Sequence, residues 1–309
     1  MEQVREIIKK AKPNLKPNSI TQYVAQLRKL QSLFETDNFN FLSNPKKVAE
    51  KIDHLHYTTQ RNIYNSILVY LQGTESKKDD KFINDYITIR DALNDKYAEE
   101  QQSGKVSEKQ KDKLVDISEI EDMISQLDSE VKPMKKRTSF TQPEISKIRA
   151  WILFNMLVRI PTRNDASHMI FISQSQYKKL SDKEKEQNNY LVKKAGGWKF
   201  IYNQYKTSKV YKENVLGVPA DLQKLLKEYI TMMKYQLGDD IFPFSPNAMS
   251  QLLLKYSKKY MGKAISTTMI RKSYMSSKYG KLKDELEEDS KKMMHSVKVG
   301  QSVYTKTKD

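Results

Sequence analysis

The stretch PEISKIRAWILFNMLVRIPTRNDASHMIFIS, residues 143–173, passes from one periodicity to another within a single run. Pro143 is a first-turn helix signal, and IRAWILFNMLV is apolar on most sides, so Pro143 to Val158 reads as a helix buried all round. PTRND follows as a polar loop, and HMIFIS then turns to β-formers. A core helix leading into a strand places this part of the chain in the α+β class.

Reading onward, NNYLVKK (188–194), GWKFIYNQY (197–205) and ENVLGVP (213–219) are further short β-forming runs between polar turns. They predict a small antiparallel sheet of three or four strands between His168 and Pro219. Gly196 and Gly197 are too short a signal for a phosphate-cradling loop and fit a hairpin turn. Helices are predicted again over Ala220–Leu237, Pro246–Tyr260 and Ile265–Tyr279, around Leu282–Met294, and near Val299–Tyr304. Reading backward, Ile117, Ile120, Ile124 and Leu127 give one more helix. EEQQSGKVSEKQKDK, residues 99–113, has almost no apolar side chain and reads as a linker. The first hundred residues predict about four short helices: Ser19–Phe34, one opened by Asn44 and Pro45, Thr58–Leu71, and Asp79 to about Tyr97. The expected organisation is a helical domain over 1–100, a linker over 101–113 and a mainly α domain with a small sheet over 114–309.

The 309 residues include no cysteine, which excludes a disulfide scaffold, a thiolate nucleophile and any sulfur-based zinc site. No apolar run is long enough to span a membrane, and the first residues mix both charge signs, so a soluble intracellular protein is expected, in nucleus or cytoplasm. The net charge is +17, and it is unevenly placed: 16 basic against 14 acidic residues in 1–100, but 39 against 24 in 101–309. A concentrated basic excess points to nucleic acid, because neutralising phosphates releases counterions; a generally lysine-rich surface is the alternative. The chain has four histidines, the nearest pair being His54 and His56, expected on different faces of a helix, so no metal is expected, and no nucleotide-cofactor motif is present.

Five residues stand in a telling order: Arg163 in PTRND, Lys206 in YKTSK, Arg271 in STTMIRKSY, His295 in MMHS and Tyr304 in SVYTK. This ordered set, behind a separate helical domain and within the basic excess, resembles the tyrosine recombinases, or phage-type integrases, and their relatives the type IB topoisomerases. SEKQKDKLVDISEI, PTRND and YKTSK look especially like the crypton-type and large-virus members. The resemblance implies a helical core-binding domain and a catalytic domain closing around double-stranded DNA, acting as a homotetramer on paired sites, with no cofactor and no membrane partner.

It also implies roles. Tyr304 would attack the phosphate to give a 3′-phosphotyrosyl intermediate, its phenol, with an ordinary pKa of about 10, needing help to ionise. Arg163 and Arg271 would hold the non-bridging oxygens in place of a metal. Lys206 would protonate the leaving 5′ oxygen, with Lys209 and Lys212 as neighbouring alternatives for the turn tip, and His295 would bond the phosphate. Asp165 would position the site, and Thr268 stands where the family commonly carries a histidine, a departure that removes one proton acceptor. Each has a structural alternative: Tyr304 as packing, His295 as a helix cap, Arg163 paired with Asp165. Arg28, Lys29 and Arg61 are candidate phosphate contacts in the first domain. The expected function is site-specific recombination or integration of a mobile or viral element; a topoisomerase and a DNA-binding protein that does not cut are the alternatives.

Overall fold

The computed structural model describes residues 1–74, 81–102, 114–294 and 297. The chain divides into two compact units, Met1–Val106 and Ser107–Asp309.

The N-terminal unit is helical: α1 (Glu2–Ala11), α2 (Pro17–Leu33), α3 (Pro45–Ile52), α4 (Tyr57–Gly73) and α5 (Lys81–Gln102). The start signals act as expected. Pro17 opens α2, and Asn44 caps α3 by accepting the Lys47 N–H at 3.1 Å. α1 was not foreseen, because charged residues surround its apolar positions; Val4 and Ile8, one turn apart, are nonetheless buried. α1 packs against α4 so closely that a Cβ on Gly73 would stand 2.1 Å from the Ile7 carbonyl oxygen, which reserves that position for glycine. α5 runs on to Gln102, so Glu99–Gln102 are helix rather than linker, while residues 103–113 lie outside the described residues. The histidine expectation is also corrected: His54 lies in the turn before α4 and His56 caps that helix, its Nδ1 accepting the Thr58 N–H.

In the C-terminal unit, α6 (Ile117–Val131) and α7 (Gln142–Arg159) both begin with capping boxes, Asp116 with Glu119 and Thr141 with Glu144. α7 is the helix expected to be buried all round: its residues Ala150 to Leu157 are all buried. Around it pack α6, α11 (Ala220–Met233), α12 (Pro246–Met261) and α13 (Thr267–Lys292). No described helix is long and apolar enough to cross a membrane.

Where three or four strands were expected, four form, as β1 (Met169–Ser173), β2 (Asn189–Lys193), β3 (Lys199–Tyr202) and β4 (Asn214–Gly217), in the order β1-β2-β3-β4. The sheet is mixed rather than antiparallel. β2, β3 and β4 pair antiparallel, with Gly196 and Gly197 at positive φ in the β2–β3 turn, but β1 and β2 run parallel. Two short helices, α8 (Gln174–Lys179) and α9 (Asp182–Gln187), supply the crossover that a parallel return needs. The free edge of β1 is covered by the segment around Asp240, with Phe171 N–H bonded to Asp239 O and Ile241 N–H to Met169 O, each at 2.9 Å. α13 is one continuous helix where two were expected; Gly280 does not break it, since a mid-helix glycine costs only about 1 kcal/mol. α11 stops at Met233, not Leu237, because Lys234 turns left-handed at φ 57°.

Candidate active site

Arg163 sits in the loop between α7 and β1, and that loop is fastened on both sides. Asn164 Nδ2 donates to Pro246 O at 3.0 Å and to Ser250 Oγ at 2.6 Å, tying it to the start of α12. On the other side Asn189 Nδ2 donates to Asp165 O at 2.7 Å. Arg271 lies in the second turn of α13, next to buried Met269 and Ile270, and Ser273 Oγ, donating to Val115 O at 2.6 Å, fixes that end of the helix.

The two arginines, far apart in sequence, line one cavity of about 420 Å³ together with Asp165, Tyr202, Tyr205, Thr207 and Tyr211. Neither forms an ion pair among the described residues, so the structural alternative for Arg163 is not what the loop builds. Asp165 shares the cavity with both and forms an ion pair with neither. Burial raises its pKa, and the charges of Arg163 and, more weakly, Arg271 oppose that rise. Burial also pushes up the phenol of Tyr202, which is 2% exposed, so it is a neutral group in the cavity wall rather than a ready nucleophile. Two guanidinium forks opening on a shared space are suited to a tetrahedral dianion or a phosphodiester.

Lys206 stands exposed in the turn that follows β3, between two residues that line the cavity, Tyr205 and Thr207. Lys209 is exposed in α10 (Ser208–Tyr211), the short helix of the β3–β4 connection. Asn189, which is 4% exposed, joins this connection to the arginine loop. Its Oδ1 accepts the N–H groups of Asn203 and Gln204 at 2.8 and 2.7 Å, and its Nδ2 donates to Gln204 O at 2.9 Å as well as to Asp165 O. All four hydrogen-bonding positions of one buried amide are therefore spent holding the two loops in register. Sequence reading missed Asn189; a polar residue opening the apolar run YLV was the available signal.

Thr268 is exposed one turn before Arg271 and is not among the cavity walls. His295 and Tyr304 lie outside the described residues. In the N-terminal unit, Arg28 and Lys29 are exposed on α2 and carry no ion pair among the described residues. Arg61 is different: its Nε donates to Asn94 Oδ1 at 2.6 Å and its guanidinium lies 4.3 Å from the centre of the Tyr97 ring, so it is engaged in joining α4 to α5. Comparison of the chain with protein-family models, curated proteins and solved structures finds no match.

Proposed function

We propose that this chain cleaves and rejoins DNA in the manner of a tyrosine recombinase. The observation that carries the reading is the meeting of Arg163 and Arg271 around one cavity, unpaired, beside the turn that bears Lys206. The basic excess of residues 101–309 supplies the attraction for a polyanion.

In this reading the arginines grip the non-bridging oxygens of the scissile phosphate and stabilise the charge that builds on them during attack. The Tyr304 oxygen forms a bond to phosphorus, the bond from phosphorus to the 5′ oxygen breaks, and Lys206 gives that oxygen a proton. The phenol proton leaves to His295 or water. Reversal by another 5′ hydroxyl rejoins the strand and frees the tyrosine. Asp165, in the same cavity, helps to orient the two guanidiniums. The expected substrate is a pair of specific DNA sites held by four copies of the chain.

The test is covalent trapping under denaturing conditions. The full chain is incubated with chelator and two supercoiled plasmids, one arbitrary and one carrying the ends of its own genetic element. A peptide adduct mapping to Tyr304 on the second plasmid alone is the expected result. An equal adduct on both, with relaxation by a monomer, would replace recombination by topoisomerase activity. DNA binding with no adduct on either plasmid would overturn the cleavage reading.

A further inference from the structure

Val210 and Tyr211 are the two most exposed large apolar side chains of the sheet region, at 72% and 71%, and Tyr211 also forms part of the wall of the arginine cavity. They stand on a connection held firmly at its base. Tyr205 Oη donates to Lys212 O at 2.7 Å, and the Tyr177 hydroxyl donates to the Glu213 carboxylate. Backbone N–H groups of Val210 and Tyr211 both bond Thr207 O, at 3.0 and 3.1 Å. The exposed pair is thus presented by an ordered turn rather than a loose tip.

Charge says what it faces. Lys206, Lys209 and Lys212 flank the pair, all exposed and without an ion pair among the described residues, and the one acid of the connection, Glu213, accepts a hydrogen bond from Tyr177 rather than pairing with a lysine. A protein partner with an apolar patch would not account for three exposed cations against one acid, and a simple polyanion would not account for the apolar pair. Duplex DNA offers both surfaces together, phosphates outside and base faces within the stack. Resting on the DNA reading above, we infer that Val210 and Tyr211 form a wedge that contacts an unstacked nucleobase beside the phosphate held by Arg163 and Arg271.

The experiment uses the full chain and two fluorescent duplexes of identical length, one fully paired and one with a central mispaired 2-aminopurine, whose base is already loosened. The parent should prefer the mispaired duplex by about tenfold, the size of one base–aromatic stack, and quench the 2-aminopurine. Val210→Ser with Tyr211→Ser should abolish both effects with the salt dependence unchanged, while Tyr211→Phe should keep them. Lys209→Gln with Lys212→Gln should do the reverse, keeping the preference and lowering the salt slope by up to about 2. These side chains are exposed, so the variants should melt with the parent. A serine variant that still prefers the mispaired duplex, or one that changes only the sedimentation of the chain, would overturn the wedge. A parent that forms the Tyr304 adduct but binds both duplexes equally would overturn the wedge alone. A parent that binds neither duplex would overturn it together with the DNA reading.

Discussion

Arg61 and Arg271 are both partly buried arginines on long helices, one in each unit, yet their surroundings are opposite. Arg61 has an amide oxygen at its Nε and a tyrosine ring under its plane, so its donors and its charge are spent on joining two helices. Arg271 shares a cavity with a second arginine and meets no ion-pair partner among the described residues. Bringing two like charges toward one space opposes folding, and the interactions that would offset it must come from elsewhere. The difference separates a cation that builds the fold from one left open: the first is already solvated by its own chain, the second is not.

Substitutions can break that comparison. The largest effect should come from Arg163→Ala or Arg271→Ala: adduct formation falls by about 10²–10³, the usual result of removing a donor to developing charge, while the melting temperature changes little, because relieved repulsion between the arginines is set against lost attraction to Asp165. Calorimetry beside the trapping assay checks both halves, and a variant that unfolds would show that the arginines build the fold after all. Next is Asn189→Leu. It strands two carbonyls and two N–H groups in a buried place and should lower stability by about 2–3 kcal/mol in denaturant titrations, with adduct formation falling in the fraction that stays folded.

Arg61→Ala should lower the stability of the chain by about 1 kcal/mol, the sum of a modest hydrogen bond and a cation–π contact, with little change in affinity for a short duplex. A loss of affinity larger than the loss of stability would return Arg61 to the role of phosphate contact. The smallest effect concerns Glu144, whose carboxyl is held down to about 2, first by the Arg137 side chain and then by the Thr141 N–H. A folded pKa below the unfolded one adds stability above the ordinary carboxylate range, and that stability is lost as pH falls toward 2. Acid unfolding of Glu144→Gln should therefore converge with that of the parent between pH 5 and pH 2.

Most of the elements were legible because each rests on local chemistry. α7 declared itself by apolar residues on every side, α3 by Asn44 and Pro45, and the β2–β3 turn by its glycine pair. The parallel pairing of β1 and β2 was not legible, since register depends on where the chain returns, and the crossover helices α8 and α9 are too short and polar to announce themselves. α13 was read as two helices, Ile265–Tyr279 and one around Leu282–Met294, whereas the hydrogen bonding of Thr267–Lys292 runs through Gly280 without a break. For the site, the order of residues pointed to Arg163, Asp165 and Arg271, and these do share one cavity. Asn189 escaped notice because its role is positional: nothing in a single amide in a sequence says that two distant loops will close on it.

The continuity of α13 sets a tether length. From Arg271 to the last turn at Lys292 the helix carries the chain about 32 Å away from the cavity at 1.5 Å per residue. The twelve residues from there to Tyr304 can cover at most about 40 Å when drawn straight. If Tyr304 serves the arginines of its own chain, the return path has about 8 Å to spare, and removing three residues from it, about 10 Å, should sever the nucleophile from the phosphate while leaving both sites intact. On the recombinase reading proposed above, the helix would act as a spacer that limits which copy of the chain a tyrosine can reach.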